Sequence, residues 1–270
     1  MVKKMTVHEA FEMMEEGITK LKDENDWKRY LKAQAALHKY SFNNIVLALS
    51  QKSDISQLGS FKAWKNIERT VRKGEKSIKI YAPIFKAKGK EKKEEIKTKD
   101  EKKKDEILSG FILVPVFDIS QTEGKEISKI TLNELSGSHD NAESIIEYLE
   151  NIIDIPIVYT DTEEDYGYVK KYNQIIINPE KAKDEIARFL VKSFADYEIS
   201  KKNISEDLNK EIITESTEFI VCQHFGFDTS EYSFSSVLSW SKGDTEVIKK
   251  AGNEIHRLSY DIIKKIEKEN

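Results

Sequence analysis

Two neighbouring segments in the second half of the chain carry residues whose spacing suggests a metal site. The first, EIARFLVKSFADY at residues 185–197, places Ile186, Leu190 and Phe194 on one face of a predicted helix. The next, TESTEFIVCQHFG, predicts a helix on which Glu215 points to the apolar side. In H-E-x-x-H zinc sites, two histidines on one helix bind the metal and a glutamate from a later helix completes the set. The first segment contains no histidine, so only one such ligand is present.

Composition bounds the class of protein. The chain has 270 residues, of which 39% are hydrophobic and 34% charged, enough for two modest domains with cores of their own. It has no apolar run that would span a bilayer and no secretion signal, so we expect a cytoplasmic protein without a membrane partner. The single cysteine, Cys222, excludes an internal disulfide and is predicted to be a buried packing residue.

Charge is distributed unevenly. The net charge is −4, yet residues 60–104 contain 17 Lys and Arg against 7 Asp and Glu, a local charge of +10. A basic segment on an acidic chain indicates a polyanionic partner. The alternative is a solubilising Lys/Glu tract that binds nothing, and charge alone does not decide between the two.

The elements predict an α+β protein of two domains, at residues 1–130 and 140–270. Thr6 and Glu9 form a predicted capping box, and Ser41 is the predicted N-cap of a later helix. VRKGEKSIKIYAPIF and FILVPVFDIS predict paired strands, separated by a mobile charged insertion at about residues 87–106. The second domain is predicted to hold a helix, a strand, a β-hairpin, two longer helices and a closing helix.

The first domain resembles the ArdC-type antirestriction proteins of conjugative plasmids and related mobile elements. The resemblance runs from Y-S-x-N-N through an aromatic-x-x-W helix to V-x-K-G-E-K, and FDISQTEG resembles the end of the same domain. It rests on Tyr40, Ser41, Asn43, Asn44, Phe61, Trp64, Val71, Lys73, Gly74, Glu75 and Lys76. It implies a single-stranded DNA-binding domain.

The residues of this domain suit that partner, because single strands offer phosphates to Lys and Arg and unstacked base faces to aromatic rings. For Trp64, base stacking and core packing both remain open, and Phe61 is expected in the core. The amides of Asn43 and Asn44 could satisfy backbone donors or reach a phosphate. Tyr40 and His38 are expected to pack. The candidate DNA-binding residues are Asn43, Asn44, Trp64, Lys65, Arg69, Arg72, Lys73 and Lys76.

The second domain resembles a zinc-peptidase-like domain related to the ImmA/IrrE peptidases, on GYVKKYNQIIIN and TESTEFIVCQHFGFDTSEYSF. Its two His positions would be Val191 and Ala195, and its general-base Glu position Lys192. Valine and alanine cannot bind metal, and a lysine cation cannot act as the carboxylate base. We therefore expect no metal, no other cofactor and no peptidase activity. Glu215 is a vestigial ligand position, either buried against hydroxyl groups or paired with Lys192.

Together these features predict a single-stranded DNA-binding antirestriction-type protein that protects incoming DNA during conjugation, with an inactive metallopeptidase-like domain. A host restriction or defence protein is a further expected partner. The alternative is a pseudoenzyme interaction protein, whose degenerate cleft binds a host or element-encoded protein. A hydrolase with other metal ligands is a third reading.

Overall fold

A computed structural model describes residues 5–87, 106–126, 139–161, 167–202, 204–205, 207–230, 232, 234 and 236–269. Three helices come first: α1 (Val7–Lys20), α2 (Glu24–Ala36) and α3 (Phe42–Gln51). Both predicted caps are confirmed. Thr6 and Glu9 form a reciprocal capping box, and the Ser41 hydroxyl accepts a hydrogen bond from the Asn44 amide at 3.4 Å.

A long antiparallel hairpin follows the helices. After β1 (Leu58–Gly59), α4 (Phe61–Asn66) and β2 (Arg69–Val71), strand β3 (Ile78–Ala87) pairs with β4 (Glu106–Asp118), which confirms the predicted pairing. A 3-10 turn at Ile119–Gln121 leads to β5 (Thr122–Gly124), which runs antiparallel to β2. Residues 88–105, most of the predicted insertion, lie outside the described residues.

The second half combines a small sheet with helices. Helix α5 (His139–Ile152) precedes β6 (Ile157–Tyr159), β7 (Gly167–Val169) and β8 (Gln174–Ile177). Strand β8 lies centrally, parallel to β6 and antiparallel to β7, so the predicted hairpin is confirmed. The remaining helices are α6 (Lys183–Ser200), α7 (Lys210–His224), α8 (Val237–Ser241) and α9 (Thr245–Glu269). The fold is thus α+β.

Helix α9 packs its apolar side against the first half of the chain. Gly252 lies so close to Phe42 that a Cβ would overlap the ring, and its carbonyl accepts a 3.5 Å hydrogen bond from the Tyr30 hydroxyl. The indole rings of Trp27 and Trp240 pack edge to face, with their centroids 5.6 Å apart. The two predicted domains therefore share one hydrophobic core. The predicted boundary falls mainly on residues 127–138, outside the described residues.

Among the helices described, none has both the length and the apolar character needed to cross a bilayer.

Candidate nucleic-acid interface and predicted metal positions

Asn44 joins helix α3 to the hairpin. Its Nδ2 donates to the Tyr81 carbonyl at 3.0 Å, and its Oδ1 accepts from the Tyr81 amide at 2.8 Å. The side-chain amide thus replaces a neighbouring strand along the edge of β3. The sequence left open whether the Asn44 amide contacts backbone groups or a phosphate. In the structure it contacts backbone groups, and these belong to β3 rather than to its own helix.

Gln51 repeats the arrangement two turns later and was missed from the sequence. Its Oε1 accepts from the Lys79 amide at 2.8 Å and its Nε2 donates to the Lys79 carbonyl at 2.7 Å. The i, i+7 spacing of two amides on one helix face was the available signal. The Oδ1 atom of the neighbouring Asn43 is buried with no hydrogen-bond partner among the described residues.

Arg69 and Arg72, predicted to contact phosphate, bind backbone carbonyls of their own chain. Arg69 donates through Nε to the Thr122 hydroxyl at 2.7 Å and through a terminal nitrogen to the Thr122 carbonyl at 3.1 Å. Arg72 donates to the Thr122 and Ser120 carbonyls and to Glu75 at 2.8 Å. These bonds hold the turn before β5 against β2, so both guanidinium groups have a structural role.

Gln121 completes this network and explains the FDISQTEG motif. Its Nε2 donates to Glu75 at 3.1 Å and to the Lys76 carbonyl at 2.8 Å. Hydrogen bonds from Gln121 first, and then Arg72, lower the pKa of the Glu75 carboxyl. The motif ends at Gly124, whose φ of +127° and proximity to the Glu68 carbonyl leave no room for a side chain.

Trp64 lies in the core. Its indole is 4% exposed, and Nε1 donates to the Phe117 carbonyl at 2.9 Å. The structure therefore favours core packing over base stacking for this residue, since only a small part of it is accessible. Phe61, expected in the core, is 56% exposed, which corrects the assignment made from the sequence. Of the two aromatic rings on the six-residue helix α4, Trp64 is the buried one.

Exposed lysines lie on and around helix α4 and the Gly74 turn. Lys65, Lys73 and Lys76 all face solvent, as does Lys62 beside Phe61. A groove of about 660 Å³ runs past the Gly74 turn, and it is lined by Met13, Ser50, Gln51, Lys52, Gly74, Glu75, Lys76, Ser77, Ile78 and Gln121. Among the predicted cationic residues, Arg69 and Arg72 hydrogen-bond to the turn before β5. For the side chains of the three exposed lysines, the described residues show no such bond.

The outer half of the hairpin exposes aromatic rings that sequence analysis missed. Phe85 is 53% exposed and Phe111 51% exposed. Pro83 pairs with Phe111 and Phe85 pairs with Leu108 across the ladder, so both rings lie on one face of the ribbon. Tyr81 meets the edge of Phe111 at 6.2 Å on this face. We call the side chains of Tyr81, Phe85, Leu108 and Phe111 the hairpin face.

The residues at the positions predicted from the zinc-peptidase resemblance do not fit a metal. Val191 is 1% exposed and Ala195 is fully buried, and neither offers a ligand atom. Lys192 lies with its Nζ 3.7 Å from Glu215 Oε1, which confirms the second of the two predicted pairings for Glu215. Burial raises the pKa of the nearby Asp196, and the Lys192 charge and a hydrogen bond from Thr214 oppose that rise. The Lys192 ammonium group thus acts on both Glu215 and Asp196.

A second buried network lies between the same two helices and was also missed. Tyr232 donates its hydroxyl proton to Glu218 Oε1 at 2.5 Å, and Arg188 Nε donates to the Tyr232 oxygen at 3.1 Å. Burial raises the pKa of Glu218. Cys222 is buried one turn further along α7, as predicted.

Comparison with known proteins supports this reading of the fold. Residues 5–117 match the family model for the N-terminal domain of anti-restriction factor ArdC. An uncharacterized protein of Bacillus anthracis, pXO2-81, is 24% identical over 282 residues, covering 87% of this chain and 46% of the relative. The chain therefore spans about half the length of this curated relative.

Two crystal structures of the ArdC antirestriction protein from plasmid R388 are similar. The metal-free structure matches with a TM-score of 0.52 at 17% identity, over 85% of this chain and 86% of that one. The Mn(II)-bound structure matches with a TM-score of 0.49 at 16% identity, over 84% of each chain. Residues 5–117 therefore match the N-terminal domain of ArdC, and the fold of the chain is similar to that of the ArdC protein from plasmid R388.

Proposed function

We propose that this protein binds single-stranded DNA through its N-terminal domain and opposes restriction of DNA that enters the cell on a mobile element. The observation that carries the proposal is the exposure of three phenylalanine rings, Phe61, Phe85 and Phe111, each more than half exposed. They lie in or beside the most lysine-rich part of the sequence.

Exposed rings and lysines together provide what a single strand requires. Bases stack on aromatic faces whatever their identity, and lysines neutralise the phosphates that follow the bases. A duplex hides its base faces, so it would gain only from the lysines. We therefore expect a preference for single strands, and we assign phosphate contact to Lys65, Lys73 and Lys76 rather than to Arg69 and Arg72.

The test is a titration of the full chain with single-stranded and duplex DNA of one sequence at several salt concentrations. The single strand should bind more tightly, with log K falling against log salt at about −0.7 per phosphate neutralised. Lys73→Glu with Lys76→Glu should weaken binding and flatten that slope. Phe111→Ala should weaken binding, whereas Tyr172→Ala, which removes a ring 60% exposed on the β7–β8 turn, is the matched control.

Absence of affinity for either DNA would reject this proposal and favour the interaction-protein alternative.

We further propose that the second half is not a peptidase. The positions that the resemblance assigns to the two histidines hold buried apolar residues, and the position that it assigns to the general base holds a lysine paired with Glu215. Release of peptide fragments by purified protein, abolished by Glu215→Ala, would overturn this second proposal.

A further inference from the structure

Three ligand-type side chains from distant parts of the sequence meet where the two halves of the chain join. His38 follows α2, His224 is the last residue of α7, and Glu267 lies near the end of α9. One ligand atom from each lies within 4.8 Å of the other two. We call these residues the His-His-Glu cluster. None of them belongs to the zinc-peptidase positions described above.

The hydrogen bond on His224 fixes which nitrogen faces the cluster. Its Nδ1 lies 3.0 Å from the Ala35 carbonyl, which can only accept, so Nδ1 carries the proton. Nε2 of the neutral ring then presents a lone pair to Glu267 Oε1 at 3.4 Å. Two acceptors facing each other require a cation between them or a second proton on the ring. Burial lowers the pKa of His224, which disfavours the second proton.

His38 adds an independent observation. The residue is 8% exposed, and its Nε2 is buried with no hydrogen-bond partner among the described residues. That nitrogen lies 3.8 Å from the same Oε1 atom of Glu267. An unpaired buried imidazole nitrogen is costly, and a metal ion would satisfy it. Burial lowers the pKa of His38 to about 3, and the neighbouring His224 adds to this effect. The ring is therefore neutral, which is the form of histidine that binds a metal.

We propose that His38, His224 and Glu267 bind a divalent transition-metal ion of the zinc class. Two imidazoles and one carboxylate are a donor set that zinc accepts, with a solvent molecule as the fourth ligand. Glu267 is 41% exposed, so the site is open to solvent on that side. The Ala35 carbonyl orients His224 as second-shell partners orient zinc-binding histidines. For metal–ligand bonds of about 2.0–2.2 Å, the three ligand atoms, now within 4.8 Å of one another, need to move only modestly closer together.

Local charges act on such a cation in both directions. The carboxyl end of α7, which His224 terminates, carries partial negative charge that favours a cation. The Lys39 charge opposes it, since the same charge contributes to the lowered pKa of both histidines. Because the ligands come from α7, α9 and the turn after α2, a bound ion would join the N-terminal domain to the second half of the chain.

The test uses the full chain, freed of metal by a chelator and then titrated with Zn²⁺ by calorimetry. We expect one ion per chain, a higher melting temperature with Zn²⁺, and visible absorption bands typical of a four-coordinate site with Co²⁺. Glu267→Gln, a nearly isosteric change of a partly exposed side chain, should weaken Zn²⁺ binding by more than about tenfold. His38→Gln should do the same.

The matched control is His8→Gln, which removes an exposed histidine paired with Glu12 on α1 and should leave the affinity unchanged. Absence of stoichiometric binding, or equal affinity in Glu267→Gln and the parent protein, would overturn the proposal. If His38→Gln does not fold, Glu267→Gln alone decides. The readout is the metal itself, so the result is independent of whether the protein binds DNA.

Discussion

Lys192 on α6 and Glu215 on α7 face each other with 3.7 Å between Nζ and Oε1. In a zinc peptidase the first position holds the general base and the second holds a metal ligand, so both would be carboxylates. On the correspondence that the sequence resemblance predicts, a lysine in place of one carboxylate removes the like-charge repulsion that a metal ion would otherwise neutralise. The ion pair accounts for the presence of a carboxylate on the apolar side of α7.

Introducing the residues of the H-E-x-x-H pattern should create a metal site. We expect Val191→His, Lys192→Glu and Ala195→His together, in a His38→Gln background that disables the His-His-Glu cluster, to bind zinc in about equimolar amount. The larger side chains should cost about 1–3 kcal/mol of stability without metal, because both histidines enter a packed core. Metal analysis after gel filtration checks this, with the His38→Gln parent as control. Unchanged zinc content after adding Glu215→Ala would show that the positions are misassigned.

Asn44→Ala should destabilise the protein by about 1–3 kcal/mol, because it leaves the amide and carbonyl of Tyr81 without their partner. Urea unfolding followed by circular dichroism measures the change. Asn43→Ala is the matched control on the same helix turn, since the Oδ1 atom it removes has no partner to lose. Equal losses from the two changes would contradict the structural role given to Asn44.

Substitutions at Trp64 and Phe61 should have separate effects on folding stability and on DNA binding. Trp64→Phe should cost about 1–2 kcal/mol, because the Phe117 carbonyl loses its donor, and should leave affinity for single-stranded DNA unchanged. Phe61→Ala should change stability by less than about 0.5 kcal/mol and weaken DNA binding by about 1–3 kcal/mol if a base stacks there. Paired melting and DNA titration measure both quantities. The opposite pattern would return Trp64 to the binding surface.

Stability should fall in mild acid. The pKa of His38 is about 3 in the folded protein against about 6.5 when unfolded, so the unfolded state binds more protons between these values. The free energy of unfolding should therefore decrease as the pH falls below about 6.5, by about 2 kcal/mol at pH 5 from His38 alone. The measurement is urea unfolding in chelator at several pH values. His38→Gln should show a shallower decline, and an identical one would assign the acid sensitivity to other groups.

Local signals in the sequence were sufficient for the elements but not for all of the side-chain roles. Caps at Thr6 and Ser41, the β3–β4 pairing and the pairing of Glu215 with Lys192 depend on short spacings or on a helix-pair motif. The roles of Arg69 and Arg72 depend on where β5 returns, which no local pattern contains. Helix α4 is too short for its periodicity to distinguish Trp64 from Phe61. The His-His-Glu cluster draws on three segments far apart along the chain, so no spacing could indicate it.

The contact between Gly252 and Phe42 bears on how the chain is made. Helix α9 is synthesised well after the first half of the chain, and until it leaves the ribosome the aromatic residues Tyr30 and Phe42 lack the contact with Gly252. Apolar side chains of the first half of the nascent chain therefore stay exposed to solvent and chaperones until α9 emerges. The contacts of Gly252 with Phe42 and Tyr30 thus couple folding of the N-terminal domain to synthesis of the second half of the chain.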